Sequence, residues 1–205
     1  MMSRCPKLVL MSLCVAMLVG AVPAWATTPL IDIGFNNLTG SFNSGTKIFT
    51  ALDNALTNGT VQRIRPTSGT AYFNSGYGGP ADFALSMVIS NVTATSATGV
   101  GSFLITDANG TTFGGDLTGT WTFVNLPLLQ YAVYSGEVSN AVFGGNADGL
   151  FEGPSGGSFS TDFSPSGLPF YGAVVTLQIG KDWFKKGSFS GAVDNLVMKI
   201  VPAPG

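Results

Sequence analysis

The 205-residue sequence contains no histidine, and its two cysteines, Cys5 and Cys14, both fall within the first fourteen residues. Without His or Cys beyond that point there is no Ser-His-Asp triad, no thiolate nucleophile and no ordinary zinc or copper site. Charge is scarce as well: 10% of residues are Asp, Glu, Lys or Arg, against roughly 25% in an average soluble domain. Long apolar runs are missing except for Leu8 to Gly20, which is too short for a spanning helix of about 20 residues. The Gly-rich stretches Gly76–Gly79 and Gly153–Gly157 lack the following Lys-Ser/Thr of a phosphate-cradling loop and read as turns.

The N-terminus carries a secretory signal pattern. Arg4 and Lys7 give a basic start, the apolar run follows, and Ala24-Trp25-Ala26 is a small-x-small cleavage site. Cys14 raises a lipoprotein signal as the rival reading, but Leu13 stands where such signals want a small residue. The expected organisation is a signal peptide over 1–26, one domain over 27–200 and a Pro-rich end over 201–205, with a secreted or cell-surface destination. Cleavage leaves 179 residues with seven Lys and Arg against eleven Asp and Glu, a net charge of −4, and removes both cysteines. That acidity excludes the basic footprint of a nucleic-acid or anionic-lipid binder, and the Lys181, Lys185 and Lys186 cluster reads as a solvated loop. No transmembrane segment is expected in the mature chain.

What takes the place of charge is hydroxyl and amide. After Ala26 the sequence has 20 Thr, 17 Ser and 12 Asn, residues that favour strands and turns over helices. Alternation supports an all-β domain: Phe83, Leu85, Met87 and Ile89 share one face, as do Leu117, Trp121 and Phe123, and Ala173, Val175, Leu177 and Ile179. Further strands are expected near 30–35, 61–65, 70–73, 98–106, 128–134, 138–143, 158–162 and 189–200. Asp107-Ala108-Asn109-Gly110 joins two of these runs as a tight hairpin. The expected fold is a jelly-roll-like antiparallel β-sandwich with one short helix near 47–57. There Ile48, Phe49, Leu52, Ala55 and Leu56 follow helical spacing, although Ile48-Phe49-Thr50 equally reads as the start of a strand.

The final residues, from Val193-Asp194-Asn195 through Val201-Pro202-Ala203-Pro204-Gly205, resemble the end of bacterial PEP-CTERM proteins. In those proteins an extracellular β-sandwich runs into a Val-Pro-x-Pro sorting signal. Ala203 stands where the commonest motif has Glu, and the hydrophobic helix and basic end that follow in that family are not within these 205 residues. A piece of a longer chain and a released protein both fit that ending. The resemblance implies an exported Gram-negative protein associated with extracellular polysaccharide or the outer surface, and no catalytic residue.

Candidate chemistry is correspondingly thin. The only glutamates, Glu137 and Glu152, lie among Tyr131, Tyr134, Phe143 and Phe151 and could form the carboxylate pair of a glycoside hydrolase. Calcium takes oxygen ligands, for which Asp107 and Asn109 in the hairpin turn, Asn146 and Asp148 in a second loop, and Asp194 on the closing strand are candidates. Asp194 is motivated by resemblance to jelly-roll carbohydrate-binding modules. Trp183, Phe184 and Tyr77 sit in expected loops and could stack on sugar rings, with capping of the core as the alternative for the first two. The Thr118, Thr120 and Thr122 row is the wet face of a strand. The reading is an exported, non-catalytic surface or matrix protein acting by binding or assembly, with polysaccharide or its own copies as partners and no obligatory cofactor. The alternative is a secreted glycoside hydrolase.

Overall fold

A computed structural model describes residues 29–146, 148–164, 167–180 and 183–202. The expected signal peptide and residues 203–205 of the Pro-rich end therefore lie outside the described residues, as do Lys181 and Asp182. Among the described residues twelve strands make up nearly all the regular structure, as the all-β reading expects. They are β1 Ile31–Asn43, β2 Ile48–Leu52, β3 Asn58–Arg63, β4 Gly69–Phe73, β5 Asp82–Ser90, β6 Ser96–Thr106, β7 Thr111–Leu126, β8 Leu129–Gly145, β9 Leu150–Glu152, β10 Ser158–Ser160, β11 Phe170–Ile179 and β12 Phe189–Val201. One 3₁₀ turn, Phe184–Lys186, completes the set.

The main sheet closes on itself. Antiparallel neighbours run β1, β2, β5, β6, β7, β8, β11, β12, and β12 then pairs back along β1 from Ile31↔Ile200 to Phe42↔Phe189. The two layers of the expected sandwich are thus opposite walls of one eight-stranded barrel, a size whose interior side chains can fill completely. The β3–β4 hairpin splays outward: β1 pairs with β2 over residues 39–43 and with β3 over residues 31–36. The changeover falls at Asn37, whose φ of 60° shifts the in-out parity of β1. Asn54 Nδ2 (2.6 Å) and Thr57 Oγ1 (2.9 Å) both donate to the Asn37 carbonyl and tie down the crossover.

The helix expected near 47–57 is not formed. Ile48–Leu52 is β2, paired on both sides with β1 and β5, and Phe49 and Ala51 face the core while Ile48 and Leu52 face solvent. Two ladders of hydrogen bonds and the burial of Phe49 outweigh a helical spacing that would bury only one side. The segments 128–134 and 138–143 are one continuous β8. In β11 Phe170, Val174, Leu177 and Ile179 are buried, not a strict row from Ala173, because a bulge between Val174 and Thr176 resets the phase.

Inside the barrel, Gly99, Gly119 and Gly136 form one row across β6, β7 and β8. The Tyr134 ring lies over that row: a Cβ on Gly119 or Gly136 would come within 2.9 Å of its Cζ. Its hydroxyl donates to the Gly99 carbonyl at 3.2 Å, and Trp121 packs beside it at 5.4 Å between ring centroids. Three missing side chains therefore make room for two large rings in the barrel centre. Burial pushes the Tyr134 phenol well above its ordinary pKa.

Candidate functional site

The two ends of the barrel are stoppered by different elements. At one, the β11–β12 connection folds inward. Trp183 stacks on Phe123 at 5.2 Å and donates Nε1–H to the Thr93 carbonyl at 3.0 Å, while Phe184 enters a box of Phe42, Phe49, Trp121 and Phe189. At 2% and 4% exposed, Trp183 and Phe184 cap the core and offer no face for a sugar. The other end is filled by Phe73, Phe151, Phe159 and Phe163 from the excursions between barrel strands. There the buried Arg63 guanidinium lies 4.1 Å over the Phe163 ring and donates to the Ser160 carbonyl. Desolvation lowers the pKa of Arg63, with Asp162 opposing the shift.

Tyr77 occupies the split where β3 and β4 leave the wall beside β5. Its ring meets Phe73 edge-on at 5.4 Å, and its hydroxyl is shut off from water, makes no well-formed hydrogen bond and lies beside Asp53. Loss of solvent, then the charges of Asp53 and Asp82, raise its pKa far above the ordinary phenol value. Asp53 follows β2 and donates its N–H to the Phe83 carbonyl at 3.1 Å. That places its carboxyl against Asp82, whose pKa is pushed up to about 6 by the hydrogen bond between the two carboxyls, by burial and by the Asp53 charge. This carboxyl pair was not legible in the sequence, where its members stand on opposite sides of the β3–β4 excursion.

The carboxylates singled out from the sequence are used otherwise. Asp107 is buried, and its Oδ1 accepts N–H from Asn109 (2.8 Å) and Thr111 (2.9 Å) while its Oδ2 accepts N–H from Glu152 (2.8 Å). It fastens the β6–β7 hairpin to β9, with N–H donors taking three of the roughly four lone-pair directions of the carboxylate. The Asn109 amide donates to the Glu152 carboxylate. Asp194 is exposed on β12 beside a shallow depression of about 210 Å³ lined also by Gly40 and Gly191, and no hydrogen bond brings it to the hairpin residues. Among the described residues no three acidic side chains gather into a metal-holding group. Glu137 points outward in the middle of β8, eight residues from Gly145, which pairs with Thr111 next to the Glu152 contact. At about 3.3 Å per residue the glutamates stand roughly 25 Å apart, well beyond the 5–9.5 Å of a glycosidase pair. No described helix is long and apolar enough to cross a membrane.

The outer wall of β2, β5, β6, β7 and β8 has a regular pattern that periodicity alone did not show. Register puts Leu52, Ala84, Leu104, Gly114 and Val142 in one row across these strands. The next outward row is Thr50, Ser86, Ser102, Asp116 and Ser139, and the one after it is Ile48, Val88, Val100, Thr118 and Glu137. Then come Ser90, Thr98, Thr120 and Ser135. Aliphatic rows thus alternate with hydroxyl rows, and these five strands contain no Lys or Arg. The lumen beneath these strands is aromatic, while their exterior carries aliphatic and hydroxyl rows in alternation. At one end the β7–β8 turn presents Leu126, Leu128 and Leu129, all strongly exposed.

The structural class is a closed, antiparallel eight-stranded barrel with a filled lumen and a nearly charge-free wall. Comparison of the chain with protein-family models, with curated proteins and with solved structures finds no match.

Proposed function

We propose that this chain is an exported, PEP-CTERM-type, non-catalytic surface or matrix protein that acts by binding or assembly through its outer wall, with a neutral polysaccharide as the partner class. The observation that carries the reading is the wall of β2 and β5–β8, where hydroxyl rows alternate with aliphatic rows and no cation is present. Hydroxyls both donate and accept hydrogen bonds, and aliphatic rows can lie against the C–H faces of sugar rings. Such a surface suits an uncharged partner and has nothing to draw a polyanion. The separation of Glu137 from Glu152 supports a non-catalytic role, and the signal-like N-terminus supports export.

The test is co-sedimentation of residues 27–205 with an insoluble neutral glucan, alongside hydrolysis assays on the same material. Retention without release of reducing sugar is expected, and a Glu137→Gln/Glu152→Gln double variant shows whether any release depends on the two glutamates. Sugar release that this double variant abolishes would replace the reading with the glycosidase.

A further inference from the structure

We infer that the tip of the β7–β8 hairpin, together with the lysines at its end of the barrel, docks this chain end-on to an anionic lipid surface. The surface involved is separate from the wall, and the inference goes beyond the polysaccharide reading.

The hairpin becomes a finger where its neighbours stop. β7 and β8 pair with each other as far as Leu126↔Leu129, but β6 leaves β7 at Thr122 and β11 leaves β8 at Ala132. Residues 124–131 therefore project past the barrel rim as a two-stranded ribbon with no strand on either side. At about 3.3 Å per residue, its tip stands roughly 13 Å beyond the last pairing shared with β6. Asn125 and Gln130 form the neck, where the Gln130 amide donates to Asn125 Oδ1 at 2.6 Å. Beyond the neck lies Leu126-Pro127-Leu128-Leu129, with Leu128 wholly exposed and the other two leucines more than half exposed. Val124 and Tyr131 pair just below it, and tyrosine favours the boundary between hydrocarbon and headgroup. No charged residue lies between Asp116 and Glu137.

The net acidity that argues against an anionic lipid partner is not evenly spread. Strand directions put residues 44–47, 91–95, 127–128 and 183–188 at one end of the barrel. Lys47 and Lys185 are exposed there, and Lys186 belongs to the same 3₁₀ turn as Lys185. That turn is held to the base of the finger by Trp183 stacked on Phe123. Among the described residues no Asp or Glu lies on these connections. Asp53, Asp82, Asp107, Asp148, Glu152 and Asp162 all gather at the opposite end. Cations at the rim behind an apolar tip match a bilayer, where anionic headgroups overlie hydrocarbon and an apolar face sinks about 5–10 Å. Leu128 is bare on every side, so it is covered by a fluid that closes around it, whereas a flat protein partner would reach one side. With so few lysines the attachment is weak, reversible and sensitive to salt.

Co-sedimentation of residues 27–205 with vesicles of equimolar phosphatidylglycerol and phosphatidylcholine, and with phosphatidylcholine alone, tests this. Binding to the anionic vesicles is expected, several-fold weaker on neutral vesicles and in high salt. Leu128→Asp and the double variant Lys47→Glu/Lys185→Glu should each weaken it at least tenfold with circular dichroism unchanged. Leu56→Asp, at an exposed leucine of the opposite end, should not. Because residues 27–205 contain no cysteine, an environment-sensitive dye on Leu128→Cys reports the tip alone. Its emission should shift to the blue on anionic vesicles, and the same dye on Leu56→Cys should not respond. No vesicle binding, binding untouched by Leu128→Asp, equal binding to neutral vesicles, or an unresponsive dye at position 128 would overturn the proposal. Dimerisation that Leu128→Asp abolishes, in a chain that does not bind vesicles, would assign the tip to a second copy instead.

Discussion

Truncating Phe184 to Ala separates a barrel stopper from a recognition loop. The ring is buried and lies 4.9–6.0 Å from the rings of Phe42, Phe49, Trp121, Trp183 and Phe189. Removing about 150 Å² of apolar area at 25 cal/mol per Å² forfeits roughly 4 kcal/mol. Four of these rings, those of Phe42, Phe49, Trp121 and Phe189, sit on paired strands and cannot collapse into the gap, so the loss should fall within the 3–5 kcal/mol seen for buried Phe→Ala. Urea unfolding followed by tryptophan fluorescence reads it as a lower midpoint at unchanged slope. Leu128→Ala, at a fully exposed position, is the control and should shift stability by less than about 0.5 kcal/mol. A cost under about 1 kcal/mol for Phe184→Ala would mean that the ring is not part of the core, and would return Trp183 and Phe184 to the list of ligand-binding candidates.

Other perturbations address other parts of the structure. The folded-state pKa of Asp82, about 6, exceeds the ordinary carboxylate value of 3.8, so the folded protein holds a proton that the unfolded chain has released. The associated stability is complete below about pH 4 and is lost as pH rises through 6. Asp82 is solvent-exposed, which holds the effect to about 1 kcal/mol, and Asp82→Asn should flatten the pH dependence of the melting temperature between 4 and 7. Asp107→Ala strands three N–H donors in a buried turn and should cost about 2–4 kcal/mol by urea titration. Adding calcium after chelation should leave the wild-type melting temperature unchanged, and a rise would show that the hairpin carboxylate is free to take an ion. Gly119→Ala puts a methyl 2.4 Å from the Ser135 carbonyl oxygen and 2.5 Å from the Gly136 Cα. Neither backbone atom can yield without breaking the β7–β8 ladder, so the variant should lose at least about 2 kcal/mol.

Features set by nearest neighbours in sequence were legible in advance. The Phe83 to Ile89 alternation became a strand with its apolar face inward, and Asp107-Ala108-Asn109-Gly110 became the β6–β7 turn. Features set by register were not. Neither the pairing of β1 with β12 that closes the barrel nor the inward glycine row of residues 99, 119 and 136 has any local signature, since each depends on strands brought together from afar. β2 was ambiguous because five residues satisfy helical and strand periods almost equally, and only its two ladders decide between them. Candidate sites divided in the same way. Trp183 and Phe184 were recognised as an aromatic cluster beside a loop, but the direction in which that loop folds is a tertiary fact. The Asp53–Asp82 pair and the alternating rows of the outer wall required the whole sheet.

On the proposed reading the outer wall binds the partner, and the lumen and the Asp53–Asp82 carboxyl pair do not. The most direct measurement is retention of residues 27–205 on insoluble neutral glucan, compared with Leu104→Arg on the wall and Asp82→Asn at the split. Wild-type retention that falls at least tenfold in Leu104→Arg and persists in Asp82→Asn is the expected result. Retention unaffected by Leu104→Arg, or abolished by Asp82→Asn in a protein that remains folded, would contradict the account.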